Sequence, residues 1–342
     1  MRAIVIHAPE DLRIEEREVG DPGPGQVRVR MAAGGICGSD LHYYRHGGFG
    51  TVRIKEPMIL GHEVSGHVET VGDGVDGLAV GDLVAVSPSR PCGACRYCLE
   101  GRPNQCLNMR FYGSAMPFPH IQGAFREVLV ADASQCVRAE GLSAGEAAMA
   151  EPLAVCLHAV RQAGDLVGRE VLVTGCGPIG LLTVLAARRA GAGRIVVTDL
   201  ASFPLEMAKR IGADEALNLG AGDDLSPYSE GKGTFDVCFE CSGAAPALAG
   251  AIGAMRPAGV VVQLGLGGDM TIPMQALTAK ELSLKGSFRF HPEFAMGVAL
   301  MRKGLIDVAP LITQTMPLND AVAAFELAGD RSQAIKAQIA FA

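Results

Sequence analysis

Apolar and polar residues alternate in short runs through the first part of the chain, up to about residue 150. VRVRMAA (27–33) and LVAVSP (83–88) are two such runs, and glycine and proline residues separate them. A period of two places apolar side chains on one face of a strand, and such strands joined by turns are typical of antiparallel sheets. The pattern therefore predicts a mostly antiparallel β domain at the start of the chain.

From about residue 154 the pattern changes to apolar strands that alternate with helices. The predicted strands are VLVT (171–174), IVVTD (195–199), FDVCFE (235–240), GVVVQLG (259–265) and LSLKGSF (282–288), and the predicted helices cover about 178–190, 203–211 and 245–255. This alternation requires crossover connections, which favour a parallel sheet with helices on both faces. The tail from about residue 290 is mixed again, and we expect it to fold back onto the first domain.

Composition narrows the possible partners. A chain of 342 residues is too long for one comfortable core, and its formal charge of -7, with no basic block, argues against binding of nucleic acid or anionic lipid. We find neither a signal-peptide pattern nor an apolar run of about 18 residues, so we expect a cytoplasmic protein with small-molecule partners and no membrane contact. In a reducing compartment its ten cysteines are expected to bind metal or to be buried, not to form disulfides.

A glycine-rich turn after the first strand of the second part is a candidate dinucleotide site. In TGCGPIG, Gly175, Gly177 and Gly180 match G-x-G-x-x-G, with Pro178 and Ile179 between the last two. Such glycines provide a tight turn, close approach of the pyrophosphate and close packing of helix on strand, and the pyrophosphate lies at the helix N-terminus. Alone the pattern is weak, but the predicted strand before it and helix after it strengthen it.

Asp199 ends the next predicted strand, roughly 20 residues after the glycines, where an acid binds the adenosine ribose. A carboxylate at this position repels a 2′-phosphate, so the sequence favours NAD over NADP as cofactor. The alternative is that Asp199 caps the following helix.

Four cysteines form a compact candidate metal site. Cys92, Cys95, Cys98 and Cys106 lie in CGACRYCLEGRPNQC with the spacing C-x₂-C-x₂-C-x₇-C. Four thiolates in one loop can surround Zn²⁺ as a closed tetrahedron, which is typical of a structural site. An iron–sulfur cluster and simple burial are the alternatives.

A second set of possible ligands is dispersed along the chain. Cys37 lies in GGICGSDLH, His62 and Glu63 lie in GHE, and Glu151 precedes a proline in AEPLA. One sulfur, one nitrogen and two oxygen donors suit a catalytic zinc that keeps a position for water or substrate. Spacing alone does not establish the site, because a His-Glu pair is more often a solvated or salt-bridged surface pair.

These motifs together resemble the zinc-dependent medium-chain dehydrogenases, since GGICGSDLH, GHE, the four-cysteine loop, EPLAV and TGCGPIG occur in the order of that family. Glu151 replaces the cysteine of the alcohol dehydrogenases, which is similar to the polyol, or sorbitol-type, branch. The resemblance implies a mixed α/β fold, with a GroES-like catalytic domain (1–153 and 289–342) around a Rossmann domain (154–288). It also implies two zinc ions per chain and a dimer or tetramer.

The resemblance implies further site residues. Cofactor contacts are expected, besides the glycine turn and Asp199, from Leu264, Gly265, Leu266, Ser287, Phe288 and Arg289. A proton relay is expected to run from the zinc-bound alcohol through Ser39 and the cofactor ribose to His42 and solvent, with Glu151 binding zinc directly or through its water. Ser39 as a turn or cap residue is the alternative.

The expected substrate also follows from resemblance. MRFYGSAMPFPH (109–120) and GSFRF (286–290) are similar to family members that oxidise the sugar acid L-idonate at C5. Candidates for binding the substrate are Arg289, Arg110 and Tyr43, with Arg45 and His120 as further cations and Tyr44 as the alternative tyrosine. DLASFPL lacks the basic residue that sorbitol-type relatives often carry after the acid, which leaves NADP open.

Three other functions are weighed. A neutral polyol or diol dehydrogenase is the main alternative, and L-threonine oxidation is more distant. A non-catalytic zinc and nucleotide binder would belong to a different class, and the retained ligand and relay residues argue against it.

Overall fold

The computed structural model describes residues 1–341. The strands are Arg2–Ala8 (β1), Asp11–Glu16 (β2), Gln26–Gly35 (β3), Gly48–Phe49 (β4), Val52–Arg53 (β5), Met58–Ile59 (β6), Glu63–Val71 (β7), Leu83–Val86 (β8), Ser89–Arg90 (β9), Arg110–Phe111 (β10), Val128–Asp132 (β11), Cys136–Arg138 (β12), Glu170–Thr174 (β13), Arg194–Asp199 (β14), Glu215–Asn218 (β15), Phe235–Glu240 (β16), Met255–Gln263 (β17), Ser283–Gly286 (β18), Ile312–Pro317 (β19) and Lys336–Ala340 (β20). The α-helices are Gly38–His46 (α1), Arg96–Leu99 (α2), Ala144–Ala148 (α3), Ala150–Ala163 (α4), Pro178–Arg189 (α5), Ser202–Arg210 (α6), Ser226–Ser229 (α7), Ala245–Ala254 (α8), Met274–Ala279 (α9), Glu293–Arg302 (α10) and Ala321–Ala328 (α11).

Strands of the first part of the chain and of the C-terminal tail build a seven-stranded sheet in the order β12-β8-β7-β3-β20-β19, with β11 also paired to β3. Its neighbours are antiparallel apart from β19 and β20, so the predicted antiparallel character is confirmed. The tail returns as predicted, because β20 pairs with β3 in the register Gln338↔Gly35. This pairing carries the C-terminal segment to the end of β3, next to Cys37.

The second part forms a six-stranded sheet in the order β15-β14-β13-β16-β17-β18, and all of its pairs are parallel. The predicted parallel sheet is therefore confirmed, with its strands close to the predicted bounds. The sequence patterns did not identify β15, whose four residues EALN are all half-buried and show no apolar alternation. At the other edge, all four residues of β18 are exposed.

Helix α4 joins the two sheets. One apolar core contains Ala85 of β8, Leu153 of α4, Val171 of β13 and Val298 of α10. A helix with apolar residues on most of its surface must be buried on several sides, and α4 packs here between elements of both parts. Its first turn thereby brings Glu151 into the interior between the sheets.

The described helices include none that is long and apolar enough to cross a lipid bilayer.

Candidate active site

The pairing of β3 with β7 brings Cys37 close to the GHE motif. Gly35 and Glu63 are direct partners in this register, and a Cβ atom on Gly35 would lie 2.2 Å from Glu63 Oε2. The chain then turns, and Cys37 becomes the N-cap of α1. The buried carboxylate of Asp40 fixes this turn by accepting hydrogen bonds from the amides of Cys37 (3.1 Å) and Gly61 (3.1 Å).

Three of the four dispersed ligand candidates converge. Potential ligand atoms of Cys37, His62 and Glu63 all lie within 4.8 Å of one another. His62 Nδ1 is buried without a hydrogen-bond partner among the described residues. Both oxygens of Glu63 accept hydrogen bonds from Lys336 Nζ, at 2.9 and 2.7 Å, and this lysine is only 2% exposed.

Glu151 lies outside that group of three within the described residues, but its charge interacts with theirs. Burial raises the pKa of Glu151 to about 8, an effect that His62 opposes and Glu63 reinforces. Burial and the charge of Glu63 raise the pKa of Cys37 to about 12. Two buried carboxylates, Glu63 and Glu151, and the half-buried thiol of Cys37 thus share one buried cation, Lys336. A divalent cation would balance the remaining charge, so the donor set and its electrostatics fit zinc.

The four-cysteine loop also fits a metal. Sγ of Cys95 lies 3.6 Å from Sγ of Cys98 and 3.9 Å from Sγ of Cys106. Zn–S bonds of about 2.3 Å in a tetrahedron imply sulfur separations of roughly 3.8 Å. Hydrogen bonds from the Ala94 amide and the Asn108 side chain lower the pKa of Cys92 to about 6, whereas burial and the Cys95 sulfur raise that of Cys98 to about 12. The sulfurs compete for negative charge, and a central cation would relieve that competition.

Each glycine of TGCGPIG has a physical reason to be glycine. Gly175 has φ of 84°, and a Cβ atom there would lie 2.9 Å from Ser242. A Cβ on Gly180 would lie 1.8 Å from the carbonyl oxygen of Gly175, so only glycine lets α5 pack this close to the turn. Gly177 caps α5 and has open space where a Cβ would stand, as needed for a phosphate at a helix N-terminus.

Asp199 is already heavily hydrogen-bonded. Its Oδ1 accepts from the amides of Leu200 (2.7 Å) and Ala201 (3.0 Å), and its Oδ2 accepts from the amide of Cys176 (2.6 Å). Oδ2 also accepts a bond of 2.5 Å from Arg331 Nη2. The acid thus faces the glycine turn through the Cys176 amide. It does not cap α6, because the N-cap of that helix is Ala201, without a side-chain hydrogen bond.

The remaining predicted cofactor contacts lie at the carboxyl ends of the parallel strands. A cavity of about 800 Å³ is lined by Leu264, Gly265, Leu266, Ser287 and Phe288 among others. The buried carboxylate of Glu240 holds this region, since it accepts hydrogen bonds from the Gly243 amide and from Gln263 Nε2. In open α/β sheets this edge is where ligands bind.

Arg289 reaches from this region toward the ligand cluster. Its guanidinium lies 4.5 Å from the ring centroid of Phe111, which itself lies 5.5 Å from the ring of His62. Burial lowers the pKa of Arg289, an effect that Glu151 and Tyr43 oppose. Its φ of 56° is a strained value for arginine, of the kind found at functional sites.

The other residues predicted to bind the substrate are exposed, are engaged elsewhere or line a separate cavity. Arg110 is exposed, and because neighbouring residues of a strand point to opposite faces, β10 turns Phe111 and not Arg110 toward His62. His120 is engaged by the Lys55 amide, at 2.8 Å, and by a carbonyl. Arg45 lines a separate cavity beside the glycine turn.

The two tyrosines of the opening motif separate clearly. Tyr43 packs on Phe49, and its hydroxyl accepts a hydrogen bond of 3.0 Å from the Ala115 amide, on the side that interacts with Arg289. Tyr44 points away and donates to Glu326 at 2.7 Å. Tyr43 is thus the tyrosine on the side of the cluster.

The predicted relay residues occupy the first turns of α1. Ser39 contributes a hydrogen bond to the Cys37 sulfur, which lowers the pKa of that thiol against the larger effect of burial. His42 lines a cavity of about 300 Å³ together with Cys176 and Gly177 of the glycine turn. Burial lowers the pKa of His42, and the charge of His46 adds to this effect.

Lys336, Asp40, Glu240 and Arg331 were missed by the sequence patterns. Asp40 lies inside GGICGSDLH and Glu240 ends the predicted strand FDVCFE, but no pattern assigned either of them a role, and Lys336 and Arg331 lie outside the motifs. The importance of all four comes from burial or from an ion pair with a distant partner. The one usable signal was a charged residue inside an apolar run, as for Lys336 in AIKAQIAF.

Comparison with known proteins identifies similar sequences over the whole chain. The model of the alcohol dehydrogenase GroES-like domain matches residues 23–141, and the model of the zinc-binding dehydrogenases matches residues 178–303. The L-idonate 5-dehydrogenase (NAD(P)(+)) of Escherichia coli is 45% identical over 342 residues, covering 99% of this chain and 98% of that protein. Human sorbitol dehydrogenase is 37% identical over 330 residues, covering 95% and 91%.

Solved structures agree with the sequence matches. The crystal structure of E. coli L-idonate 5-dehydrogenase superposes with a TM-score of 0.94 at 42% identity, over 99% of this chain and 97% of that one. The 2R,3R-butanediol dehydrogenase of Bacillus subtilis superposes with a TM-score of 0.89 at 30% identity, over 99% of both chains.

Proposed function

The chain belongs to the zinc-binding alcohol and polyol dehydrogenases, and we propose that it oxidises L-idonate at C5 to 5-keto-D-gluconate with transfer of a hydride to NAD(P). The observation that carries the choice of substrate is the 45% identity, over 99% of the chain, to the L-idonate 5-dehydrogenase of E. coli. The convergence of Cys37, His62 and Glu63 supports the chemistry.

Two zinc ions per chain are part of the proposal. Cys37, His62 and Glu63 would hold the catalytic ion, with Glu151 directly or through water, and the four cysteines of the loop would hold the structural one. Bound zinc supplies Lewis acidity, which lowers the pKa of an alcohol, and bound NAD(P) accepts the hydride. NAD is the proposed preference, which is supported by Asp199 at the end of β14, next to the glycine turn.

The chain's own residues would orient the substrate and remove its proton. Ser39, beside Cys37, would take up the hydroxyl proton, and His42 would pass it to solvent from the cavity of about 300 Å³ that it lines. The lowered pKa of His42 suits this task, because a neutral imidazole accepts a proton.

Arg289 is proposed to bind the substrate next to Tyr43. Its guanidinium is held over Phe111, and its forked donors suit a carboxylate or adjacent hydroxyls. Arg110 is a weaker candidate because it is exposed on the opposite side of β10.

The test is NADH and NADPH formation with L-idonate, D-gluconate, sorbitol, xylitol, L-threonine and 2,3-butanediol. We expect the highest kcat/KM with L-idonate and loss of activity after chelation of zinc. A clear preference for sorbitol would contradict the sugar-acid proposal, and no turnover of any substrate would favour a non-catalytic binder.

Ser39→Ala tests the relay separately. We expect a lower kcat with a changed pH profile, while zinc content and NADH affinity stay as in the wild type. An unchanged pH profile would exclude Ser39 from the relay.

A neutral polyol or diol dehydrogenase is the second candidate. It is favoured by the 37% identity to human sorbitol dehydrogenase and by the TM-score of 0.89 to the butanediol enzyme. Arg289 does not separate these substrates, because it can bind hydroxyls as well as a carboxylate.

The domain division, location and assembly complete the proposal. Residues 1–153 and 289–342 would form the catalytic domain and 154–288 the Rossmann domain, which is supported by the strands of the two sheets, although α4 crosses that boundary. A cytoplasmic location is supported by ten free cysteines. A homodimer or homotetramer is supported by the exposed edge strand β18, which a second copy could extend; a sizing column tests this.

A further inference from the structure

Arg331 joins the two parts of the molecule next to the glycine turn. It lies between α11 and β20, in the segment that returns to the antiparallel sheet, whereas Asp199 ends β14 of the parallel sheet. Their ion pair measures 2.5 Å between Arg331 Nη2 and Asp199 Oδ2. Neither residue's neighbours in sequence indicate this contact.

The ion pair fills the last acceptor position of Asp199. A carboxylate has about four lone-pair sites, and three backbone amides occupy the others, as described above. Ribose hydroxyls of NAD must therefore compete with Arg331 for Asp199. The acid is 2% exposed in its side chain, whereas that of Arg331 is 53% exposed, so the arginine is the partner that can move.

Arg331 also faces the place where a dinucleotide would enter. It lines the cavity of about 300 Å³ together with Cys176, Gly177 and Pro178 of the glycine turn. A guanidinium has five N–H donors, and the bond to Asp199 uses one of them. The remaining donors suit a phosphate, which arginine binds in forked geometry.

We propose that Arg331 determines nucleotide specificity by neutralising Asp199 and binding the 2′-phosphate of NADP, so that the site accepts NADP as well as NAD. The cation usually expected just after the acid is missing from DLASFPL, and Arg331 supplies one from the C-terminal segment instead. This inference rests on the proposed function, in that a nicotinamide dinucleotide binds at the glycine turn.

The test measures binding without turnover, as the Kd of NADH and NADPH by nucleotide fluorescence in the zinc-loaded protein. Arg331→Gln should raise the Kd of NADPH at least tenfold, because Asp199 then repels the 2′-phosphate. It should leave the Kd of NADH unchanged or lower it by up to about threefold, because Arg331 no longer competes for Asp199. Arg331→Lys keeps the charge and should lose less NADPH affinity. Arg302→Gln, which removes a surface pair with Glu140, is the matched control and should change neither Kd.

Three results would overturn the proposal. Equal weakening of both nucleotides by Arg331→Gln would show a general structural role, with the proposed dehydrogenase function intact. A wild type that binds NADH at least a hundredfold tighter than NADPH would show that Arg331 does not offset Asp199. A wild type that binds neither nucleotide would overturn the proposed function together with this inference.

Discussion

Gly180→Ala should damage both stability and nucleotide binding, because the third glycine of the turn has no room for a side chain. A Cβ atom would lie 1.8 Å from the carbonyl oxygen of Gly175, and real Cβ atoms approach no closer than about 3.0 Å. The backbone of α5 or of the turn must therefore move by about 1.2 Å. Forcing a side chain into a packed region costs about 1–3 kcal/mol, and the same shift would misalign the amides of the turn that are proposed to bind the pyrophosphate.

Two matched variants separate the causes. Gly177→Ala has open space for its Cβ, so it should keep the free energy of unfolding within about 0.5 kcal/mol while it weakens NADH by obstructing the phosphate. Gly250→Ala in α8 meets only Leu225 Cδ1 at 3.7 Å, so it should retain binding and stabilise the protein by up to about 1 kcal/mol.

The assays are urea unfolding and NADH titration of all three variants. If Gly180→Ala matched the wild type in both, the close packing of helix on strand would not be the reason for glycine at this position. If Gly177→Ala destabilised the protein as much as Gly180→Ala, steric crowding would not explain the difference between the two glycines.

Three further predictions concern buried charge and metal. Lys336→Met should destabilise the metal-free protein by about 3–5 kcal/mol in urea unfolding, because Glu63 is left as a buried unpaired charge. Adding Glu63→Gln to this variant should restore part of the lost stability. A loss below about 1 kcal/mol for Lys336→Met would contradict the prediction. Burial would raise the pKa of Glu293, but hydrogen bonds from His158 and from the His291 amide lower it to about 2. The folded state thus favours the carboxylate of Glu293. The stability that Glu293→Gln loses should therefore be at most about 3 kcal/mol at pH 7, and this loss should vanish as the pH falls from about 4.5 to 2. A stability difference between variant and wild type that does not depend on pH would refute the prediction. Cys106→Ser should reduce zinc from two ions to one per chain in metal analysis while NADH still binds, and retention of both ions would exclude the four-cysteine site.

Local patterns in the sequence determined much of the fold. Period-two alternation identified β3 and β8, and the strand-helix alternation identified the parallel sheet, because each depends on residues close in the chain. The short edge strand β15 was missed, since EALN has no apolar period. The glycine turn was predicted for the same local reason, and its three glycines each meet the steric demand that the motif implies.

The candidate site divides in the same way. The candidate site in the cysteine loop is readable from sequence because its four cysteines lie within one short segment, and Cys37, His62 and Glu63 were recognisable as candidates through their motifs. The sequence did not reveal which side chains pair with the site residues. Lys336 binds Glu63 and Arg331 binds Asp199, and only the structure shows that Tyr43 and not Tyr44 lies on the side of the cluster.

These partners depend on the return of the C-terminal segment and on which face of α1 is buried. The register between β3 and β20 determines that Lys336 is buried next to Glu63. The packing of α11, through Phe325, determines which way the ring of Tyr44 points. The sequence by itself therefore determined the two strand and helix patterns, the candidate ligand residues and the family, whereas only the tertiary structure decided which charges meet. The physical reason is that an ion pair between residues far apart in the chain leaves no local pattern, and only folding brings its two charges together.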